Sequence, residues 1–206
     1  MSLWGRIFAA GYDRFMAGTE KAGLRDRRRA LLEKASGRVI EVGAGTGANL
    51  DLYGDGVTEL ILTEPEEPMA KRLERRLAEN GRQATVVRAP AEQLPFPDDS
   101  FDTAVCTLVL CTVRDPDRAL AEIRRVLRPG GQLLFLEHVR AEDPKLAKWQ
   151  DRITPVWRRI GHGCHPNRAT SELIRGSFES VEVEHDSMPK APAVFRPLRH
   201  GRATAP

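Results

Sequence analysis

The chain has no long apolar run: none of its hydrophobic segments approaches the roughly 20 residues that a membrane-spanning helix needs. Its N-terminus also lacks a continuous apolar core followed by a small-residue cleavage site, so no secretory signal is predicted. Three cysteines, Cys106, Cys111 and Cys164, are too few for a disulfide framework. Together these absences predict a protein of the reducing cytoplasm.

Aromatic residues are scarce, at 6% of the 206 residues, and the net charge is only +3. The arginines occur in clusters, for example at positions 27–29 and 124–125, and each cluster lies beside acidic residues in a predicted helix. Aromatic side chains are not interleaved with them as a base-stacking surface requires. We therefore interpret the clusters as solvated helix faces, and we predict neither a nucleic-acid partner nor a partner protein.

The densest run of glycine follows a predicted strand. Residues 38–42 form an apolar strand that leads into Gly43-Ala-Gly-Thr-Gly47, and a helix is expected to begin near Asn49. Glycine leaves room for a ligand to approach the backbone and tolerates positive φ. The pattern fits a nicotinamide dinucleotide site, with Glu64 about 20 residues on as the ribose-binding acid. The glycine loop alone does not select that ligand over other adenosine-containing cofactors.

Strands and helices alternate through the middle of the chain, which predicts a parallel sheet with helices on both faces. The predicted strands cover 38–42, 59–63, 84–88, 101–110 and 132–137. Helices are predicted over 66–80 and 118–127, the second capped by Asp115. Two helices, 2–17 with a break at Gly11 and 20–35, precede this region. Helices over 143–160 and 170–176 and short strands over 181–184 and 201–204 follow it.

Further segments distinguish the cofactors. Glu41 precedes the glycine loop, the segment Ala91-Glu92-Gln-Leu-Pro-Phe-Pro-Asp-Asp-Ser-Phe-Asp102 leads into the fourth strand, and Leu127-Arg-Pro-Gly-Gly131 leads into the fifth. This ordered set resembles the class I S-adenosylmethionine (SAM)-dependent methyltransferases over about residues 30–140. The resemblance implies a Rossmann-like α/β fold whose seven-stranded sheet is mostly parallel, with helices on both faces and an antiparallel last strand. It also implies SAM at the carboxyl ends of the strands.

The resemblance implies roles for individual positions. Glu41 would help to hold the amino group of SAM, and Glu64 would accept both ribose hydroxyls, because one carboxylate has lone pairs for two donors. The family often has Asp at the position of Glu64. The residues implied in cofactor binding are Tyr12, Glu41, Gly43, Ala44, Gly45, Thr46, Gly47, Asn49, Glu64, Pro65, Ala91, Glu92, Thr107 and Leu108. Of these, Ala91 and Glu92 match the adenine edge, and Thr107 and Leu108 lie beside the methionine part.

A narrower pattern is similar to the methyltransferase-like proteins that methylate small alkyl thiols. It comprises Cys106-Thr-Leu-Val-Leu-Cys-Thr-Val113, Glu137-His-Val139, Gly163-Cys164, Asn167-Arg-Ala-Thr170 and the closing segment 196–203. The chain departs from that family in having only the short amphipathic segment 2–17 in place of a long apolar N-terminal anchor. Small methyltransferases of quinone or phospholipid pathways share the earlier motifs, so O-, C- or N-methylation stays open. An oxidoreductase is the rival class of enzyme, and the segments after the third and fourth strands disfavour it. A non-catalytic SAM-binding regulator is the rival function outside enzymes.

The predicted acceptor side contains few titratable groups. His138, which follows the fifth strand, is the first candidate for a base or an orienting group, and Glu137 is the second. Cys111, Trp157 and Cys164 are predicted to line the pocket for the small-molecule acceptor. His162, Cys164 and His165 suggest zinc, but their spacing is cramped and no fourth ligand is evident, so no metal site is predicted.

The predicted organisation is one domain over residues 1–206. A helical lid over 1–35 precedes a SAM-binding core over 36–140, and 141–206 supply the acceptor pocket and the C-terminal strands. The apolar residues Leu3, Trp4, Ile7 and Phe8 leave a weak contact with a membrane surface as a second possible role of the first helix.

Overall fold

A computed structural model describes the backbone of residues 3–206 and the side chains of residues 9–206. Its sheet has seven strands: β1 (Gly37–Val42), β2 (Val57–Thr63), β3 (Thr85–Val87), β4 (Phe101–Thr107), β5 (Leu127–His138), β6 (Ser180–Ser187) and β7 (Pro197–Thr204). Their order is β3-β2-β1-β4-β5-β7-β6, and β7 is antiparallel to both of its neighbours. The other pairs are parallel. The predicted sheet, with its antiparallel last strand, is confirmed.

Helices precede the sheet, connect its strands and complete the chain. They are α1 (Leu3–Thr19), a π-helical turn (Glu20–Leu24), α2 (Arg25–Leu32), α3 (Glu67–Asn80), α4 (Pro116–Val126), α5 (Pro144–Ile160), α6 (Thr170–Ser177) and a 3₁₀ turn (Ala193–Phe195). Asp115 begins α4 as predicted, because its side chain accepts a hydrogen bond from the Arg118 N–H at 3.0 Å. No helix in the described part of the chain is long and apolar enough to cross a bilayer.

The core lies on both faces of the sheet. Alternate residues of each strand point to opposite sides, so Ile40 and Ala104 belong to one apolar cluster and Val39 and Val105 to the other. Helix α4 covers the first cluster, and α2 covers the second. This arrangement leaves the carboxyl ends of the parallel strands at one edge, where their loops meet.

Several predicted boundaries were wrong. Helix α1 continues through Gly11, and the irregular backbone lies instead at Gly23, whose φ is 124°. The helix expected near Asn49 is a series of turns. Strand β4 ends at Thr107 rather than at residue 110, since Leu108 has a φ of 61°. Strand β5 begins at Leu127, which pairs with β4 before a shift in register.

Candidate cofactor and acceptor site

The glycine loop crosses the carboxyl ends of β1 and β2. The Ala44 N–H donates to the Thr63 carbonyl at 2.8 Å, which fixes the loop against β2. Gly43 has a φ of 67°, and a Cβ atom there would lie 2.8 Å from Val109. Gly45 has a φ of 58°, yet a Cβ atom there would meet nothing within 4 Å. The loop is therefore packed on one side and open at Gly45, where a ligand can approach the backbone.

Glu64 stands at the end of β2 and faces this loop. Its Oε2 accepts a hydrogen bond from the Gly45 N–H at 2.9 Å, and its Oε1 accepts one from the Glu66 N–H at 2.8 Å. Burial raises the pKa of the Glu64 carboxyl, and these two hydrogen bonds oppose that effect. Each oxygen keeps a further lone pair, so the carboxylate can still accept two hydroxyl donors. Pro65 follows, and its carbonyl accepts from the Arg88 guanidinium at 2.8 Å.

Behind the loop, a buried polar network joins β1 to β4. The Glu41 carboxylate accepts hydrogen bonds from Asn49 Nδ2 at 2.9 Å and from the Tyr53 hydroxyl at 2.7 Å. Asn49 Nδ2 also donates to Thr107 Oγ1 at 3.0 Å. Burial raises the pKa of Glu41 to about 7, against the lowering effect of its two hydrogen-bond donors. Three predicted cofactor residues, Glu41, Asn49 and Thr107, are thus brought together.

Arg28 belongs to the same network, although its sequence pattern predicted a solvated face. Only 3% of Arg28 is exposed, and its Nη1 donates to Thr107 Oγ1 at 2.7 Å and to Asn49 Oδ1 at 3.1 Å. Its Nε donates to Glu20 Oε1 at 3.0 Å. The solvated interpretation was wrong for this residue. Helical spacing could have indicated that Arg28 is buried, because Arg28 shares a helix face with the buried residues Leu24 and Leu31.

Helix α1 reaches the glycine loop through polar side chains. Thr46 Oγ1 donates to Asp13 Oδ1 at 2.5 Å, and Arg76 donates to the Thr46 carbonyl at 3.1 Å. Burial raises the pKa of Tyr12 to about 12, and Arg28 has the largest opposing effect. Asp13 was not predicted as a site residue. The side chains of Leu3, Trp4, Ile7 and Phe8, on which a membrane contact would depend, lie outside the described ones.

A strained turn follows β4, and Glu137 holds it in place. The Glu137 carboxylate accepts hydrogen bonds from the N–H groups of Val109, Leu110 and Cys111 at 2.8, 2.9 and 3.3 Å. Leu108 begins this turn with a positive φ, which costs free energy for a residue with a branched side chain. Glu137 is fully buried, and burial raises its pKa to about 7. These contacts make Glu137 an anchor for the turn, and its role as a base stays a prediction.

Beyond this turn, His138 lies among sulfur atoms. His138 Nε2 is 3.3 Å from Met188 Sδ, and His138 Nδ1 is 3.9 Å from Cys164 Sγ. Cys164 Sγ is also 3.9 Å from Cys111 Sγ. The hydrogen bond between these thiols, together with His138 and the Trp157 indole, holds the pKa of Cys164 well below its usual value despite burial. The same hydrogen bond raises the pKa of Cys111.

The remaining predicted residues lie around this edge. Glu92 Oε1 accepts hydrogen bonds from the N–H groups of Arg114 at 2.9 Å and Asp115 at 3.3 Å, so it holds the segment that leads into α4. Ala91 is buried in the core beside it. Trp157 packs on Phe195, with ring centroids 4.3 Å apart. The adenine contact predicted for Ala91 and Glu92 stays a prediction.

The order of the strands, the glycine loop and the acidic residue Glu64 after β2 together define a class of protein, the class I SAM-dependent methyltransferases. This chain belongs to that class. Residues 40–135 match the family model described as a methyltransferase domain. A SAM-dependent methyltransferase of Thermotoga maritima has the same fold, with a TM-score of 0.74 over 98% of both chains at 24% identity. The N-methyltransferase NodS of Bradyrhizobium japonicum, solved with S-adenosylhomocysteine, has a TM-score of 0.64 at 17% identity, covering 88% of this chain and 87% of NodS.

Curated relatives are more similar in sequence. Human thiol S-methyltransferase TMT1B is 41% identical over 77% of this chain and 67% of its own length. Human thiol S-methyltransferase TMT1A is 37% identical over 80% of this chain and 69% of its length. Phosphatidylethanolamine N-methyltransferase of Cereibacter sphaeroides is 33% identical over 73% of this chain and 74% of its length. This chain is a SAM-dependent methyltransferase that spans about two thirds of the length of the thiol-methylating relatives.

The described residues fit SAM. The open side of Gly45 admits a ligand to the backbone, and Glu64 offers free lone pairs beside it. The buried guanidinium of Arg28 supplies a positive charge at the end of β4, where the carboxylate of a methionine moiety can be paired. SAM supplies an electrophilic methyl group on a sulfonium that is a good leaving group.

Proposed function

We propose that the chain methylates a small thiol and that the residues around Gly45 bind SAM. Glu64 accepts the ribose hydroxyls, and the backbone of Gly43 to Gly47 faces the methionine part. Glu41 acts through Asn49, because both of its oxygens already accept hydrogen bonds and only 2% of the residue is exposed. Arg28 pairs with the carboxylate, and Tyr12 on α1 covers this end of the site.

One observation favours sulfur as the acceptor atom: the His138 imidazole lies between the sulfur atoms of Met188 and Cys164, at the end of the strand whose Glu137 anchors the turn. A polarisable, mostly apolar surrounding of this kind suits a thiol or thiolate better than a strongly hydrated oxygen or nitrogen nucleophile. The two human relatives named as thiol S-methyltransferases support the same class of acceptor.

The chemistry requires mainly positioning. Holding the acceptor in line with the methyl group can lower the barrier by about 7–11 kcal/mol in favourable cases. A free thiol has a pKa near 8.5, so only a few per cent is thiolate at neutral pH, and the acceptor needs modest help to lose its proton. We place His138 on the acceptor side. There it orients the acceptor thiol, or it orients the group that takes up the proton of that thiol. Glu137 keeps the turn at 108–111 in position for both substrates.

Phosphatidylethanolamine is the second candidate acceptor, because the relative from Cereibacter sphaeroides that is named for it matches 73% of this chain. An amine acceptor would need a base that removes a proton from an ammonium group. Of the carboxylates at the strand ends, Glu41 and Glu137 are buried and bonded to donors within the fold. The acceptor side therefore favours a thiol.

Methyl-labelled SAM incubated with separate acceptors tests the proposal. We expect label to appear in the methyl thioether of at least one small alkyl thiol, with one S-adenosylhomocysteine formed per thioether. Parallel reactions contain quinols, phenols and vesicles of phosphatidylethanolamine. Transfer only to the amine lipid or to a quinol would contradict the thiol proposal, and tight SAM binding without transfer to any acceptor would favour a binding protein.

A further inference from the structure

Three side chains from separate parts of the chain converge beside the proposed acceptor site. Cys111 follows the turn after β4, His138 ends β5, and Cys164 lies in the loop after α5. Their ligating atoms all lie within 4.8 Å of one another, and both thiols are buried. Sequence spacing suggested a different set, His162, Cys164 and His165, and of these only Cys164 belongs to the cluster.

The distances within the cluster match the edges of a tetrahedral metal site. Zinc binds sulfur at about 2.3 Å and imidazole nitrogen at about 2.0 Å, so tetrahedral angles place two sulfurs about 3.8 Å apart and a sulfur and a nitrogen about 3.5 Å apart. The corresponding separations here are 3.9 Å between the two Sγ atoms and 3.9 Å between Cys164 Sγ and His138 Nδ1. The third separation, between Cys111 Sγ and the His138 nitrogen, lies within 4.8 Å and would have to shorten when a metal ion binds, whereas a disulfide would need the sulfurs to approach to about 2.05 Å.

The surroundings prepare these atoms to act as ligands. Met188 Sδ lies 3.3 Å from His138 Nε2, and a proton on that nitrogen leaves the Nδ1 lone pair facing Cys164. The Cys111 carbonyl accepts a hydrogen bond from the His165 N–H at 2.8 Å, which joins the two cysteine-bearing segments. Glu137 holds the Cys111 N–H at 3.3 Å. Backbone contacts therefore hold the two thiols near each other without a disulfide between them.

We propose that Cys111, His138 and Cys164 bind one thiophilic divalent metal ion, with Zn²⁺ as the test ion, and leave a fourth position open. Two thiolates and one imidazole are a donor set that zinc accepts in sites with an exchangeable fourth ligand. His138 is then a ligand and not a base.

The use of the open position rests on the proposed function, since the acceptor's sulfur is the group that would occupy it. Binding to the ion favours the thiolate, and the S–H proton leaves to solvent. The sulfur then donates an electron pair to the methyl carbon, and the carbon–sulfonium bond breaks with its electrons going to the cofactor's sulfur. One S–C bond forms and one breaks, so a thioether and S-adenosylhomocysteine result without an oxidant or a reductant.

Cobalt titration of the full chain, stripped with a chelator and kept reduced, tests the metal site. Co²⁺ is the probe because its thiolate charge-transfer and visible d–d bands report sulfur ligands and tetrahedral geometry. We expect these bands to saturate at one equivalent and to disappear when Zn²⁺ is added. In the variants Cys111→Ser, Cys164→Ser and His138→Gln, the cobalt bands should no longer saturate at one equivalent of metal. Cys106→Ala is the matched control, because Cys106 is a buried cysteine outside the cluster, and it should retain the bands.

The outcomes separate the metal site from the proposed function. Calorimetric binding of S-adenosylhomocysteine shows that each variant is folded. The metal site is contradicted if wild type gives no thiolate bands or if the serine variants titrate like wild type. It is also contradicted if the protein takes up no metal and mild oxidation, which removes one hydrogen from each thiol, forms a Cys111–Cys164 disulfide. Methylation of thiols by metal-stripped protein would exclude the metal from catalysis and leave the proposed function intact. Stoichiometric cobalt binding without methyl transfer to any thiol would support the metal site and contradict the proposed function.

Discussion

Glu64 joins the second strand to the glycine loop through a single carboxylate. One oxygen accepts from Gly45 and the other from Glu66, so the loop and the start of α3 are fixed with respect to the same group. Because Gly45 is also the open point of the loop, a ligand that contacts Glu64 lies against Gly45 as well. The Glu64 side chain is long enough to reach both backbone donors.

Replacing Glu64 with Gln tests this assignment. The amide can accept from one of the two backbone N–H groups but turns a donor toward the other, and it accepts only weakly from a ribose hydroxyl. We expect SAM and S-adenosylhomocysteine to bind about 1–2 kcal/mol more weakly, or roughly 5–30-fold, by calorimetry. Glu66→Gln is the matched control, since this acid is exposed two residues away and should leave affinity unchanged. Equal affinities for the two variants would remove Glu64 from the cofactor site.

Between elements, the N-terminal helices are tied to the sheet edge by buried and half-buried polar contacts. Arg28 of α2 donates to Thr107 at the end of β4, and Thr46 of the glycine loop donates to Asp13 of α1. The irregular backbone at Gly23, close to Arg28, lets α2 turn relative to α1. Movement of these helices would therefore change the shape of the glycine loop and of the β4 end together.

Arg28→Met tests that connection. Loss of the guanidinium leaves Asn49 Oδ1 and the Glu20 carboxylate without their donor, so we expect the free energy of unfolding to fall by about 1–3 kcal/mol. SAM affinity should fall as well, since the positive charge beside Thr107 is lost. Arg29→Met is the control, because Arg29 is exposed and pairs with Asp26 within the same helix. It should change stability by at most about 0.5 kcal/mol. Urea unfolding and calorimetry measure both effects, and matching losses in the two variants would contradict the proposed connection.

The elements were predictable to the extent that their signals are local. Alternating apolar strands and helices indicated the parallel sheet, and Asp115 marked the start of α4. The end of β4 was not predictable, because it depends on Glu137, which is 28 residues from Val109 in sequence. The burial of Arg28 had a local signal in its helical spacing, but its partners Asn49 and Thr107 could not be predicted, because they are 21 and 79 residues away. The cysteine–histidine cluster also depends on contacts across 26 to 53 residues, so spacing along the chain did not reveal it.

At the scale of the whole molecule, three carboxylates are buried at the strand ends, those of Glu41, Glu64 and Glu137. Glu41 and Glu137 each have a pKa raised to about 7, and desolvation is the largest cause for both. In the unfolded chain their pKa values return to about 4.5. Between these values the folded state binds more protons than the unfolded state, so stability must fall as the pH rises from about 4.5 through 7. The carboxyl groups that make stability depend on pH therefore lie where the cofactor is expected to bind.

The variant Glu41→Gln separates the contribution of Glu41 to the pH dependence of stability from that of Glu137. A shift from 4.5 to about 7 corresponds to about 3 kcal/mol that wild type loses between pH 4.5 and pH 8 through Glu41 alone. The Gln variant keeps an acceptor for Asn49 and carries no titratable group, so it should lack this part of the decline while retaining the part that comes from Glu137. Urea unfolding without cofactor at pH 5 and pH 8 gives the difference between variant and wild type. Glu79→Gln, at an exposed position, is the control and should follow wild type at both pH values. A Glu41→Gln variant that loses as much stability as wild type over this range would show that Glu41 is already ionised in the folded protein at pH 5, which would place a positive charge closer to it than Arg28 alone provides.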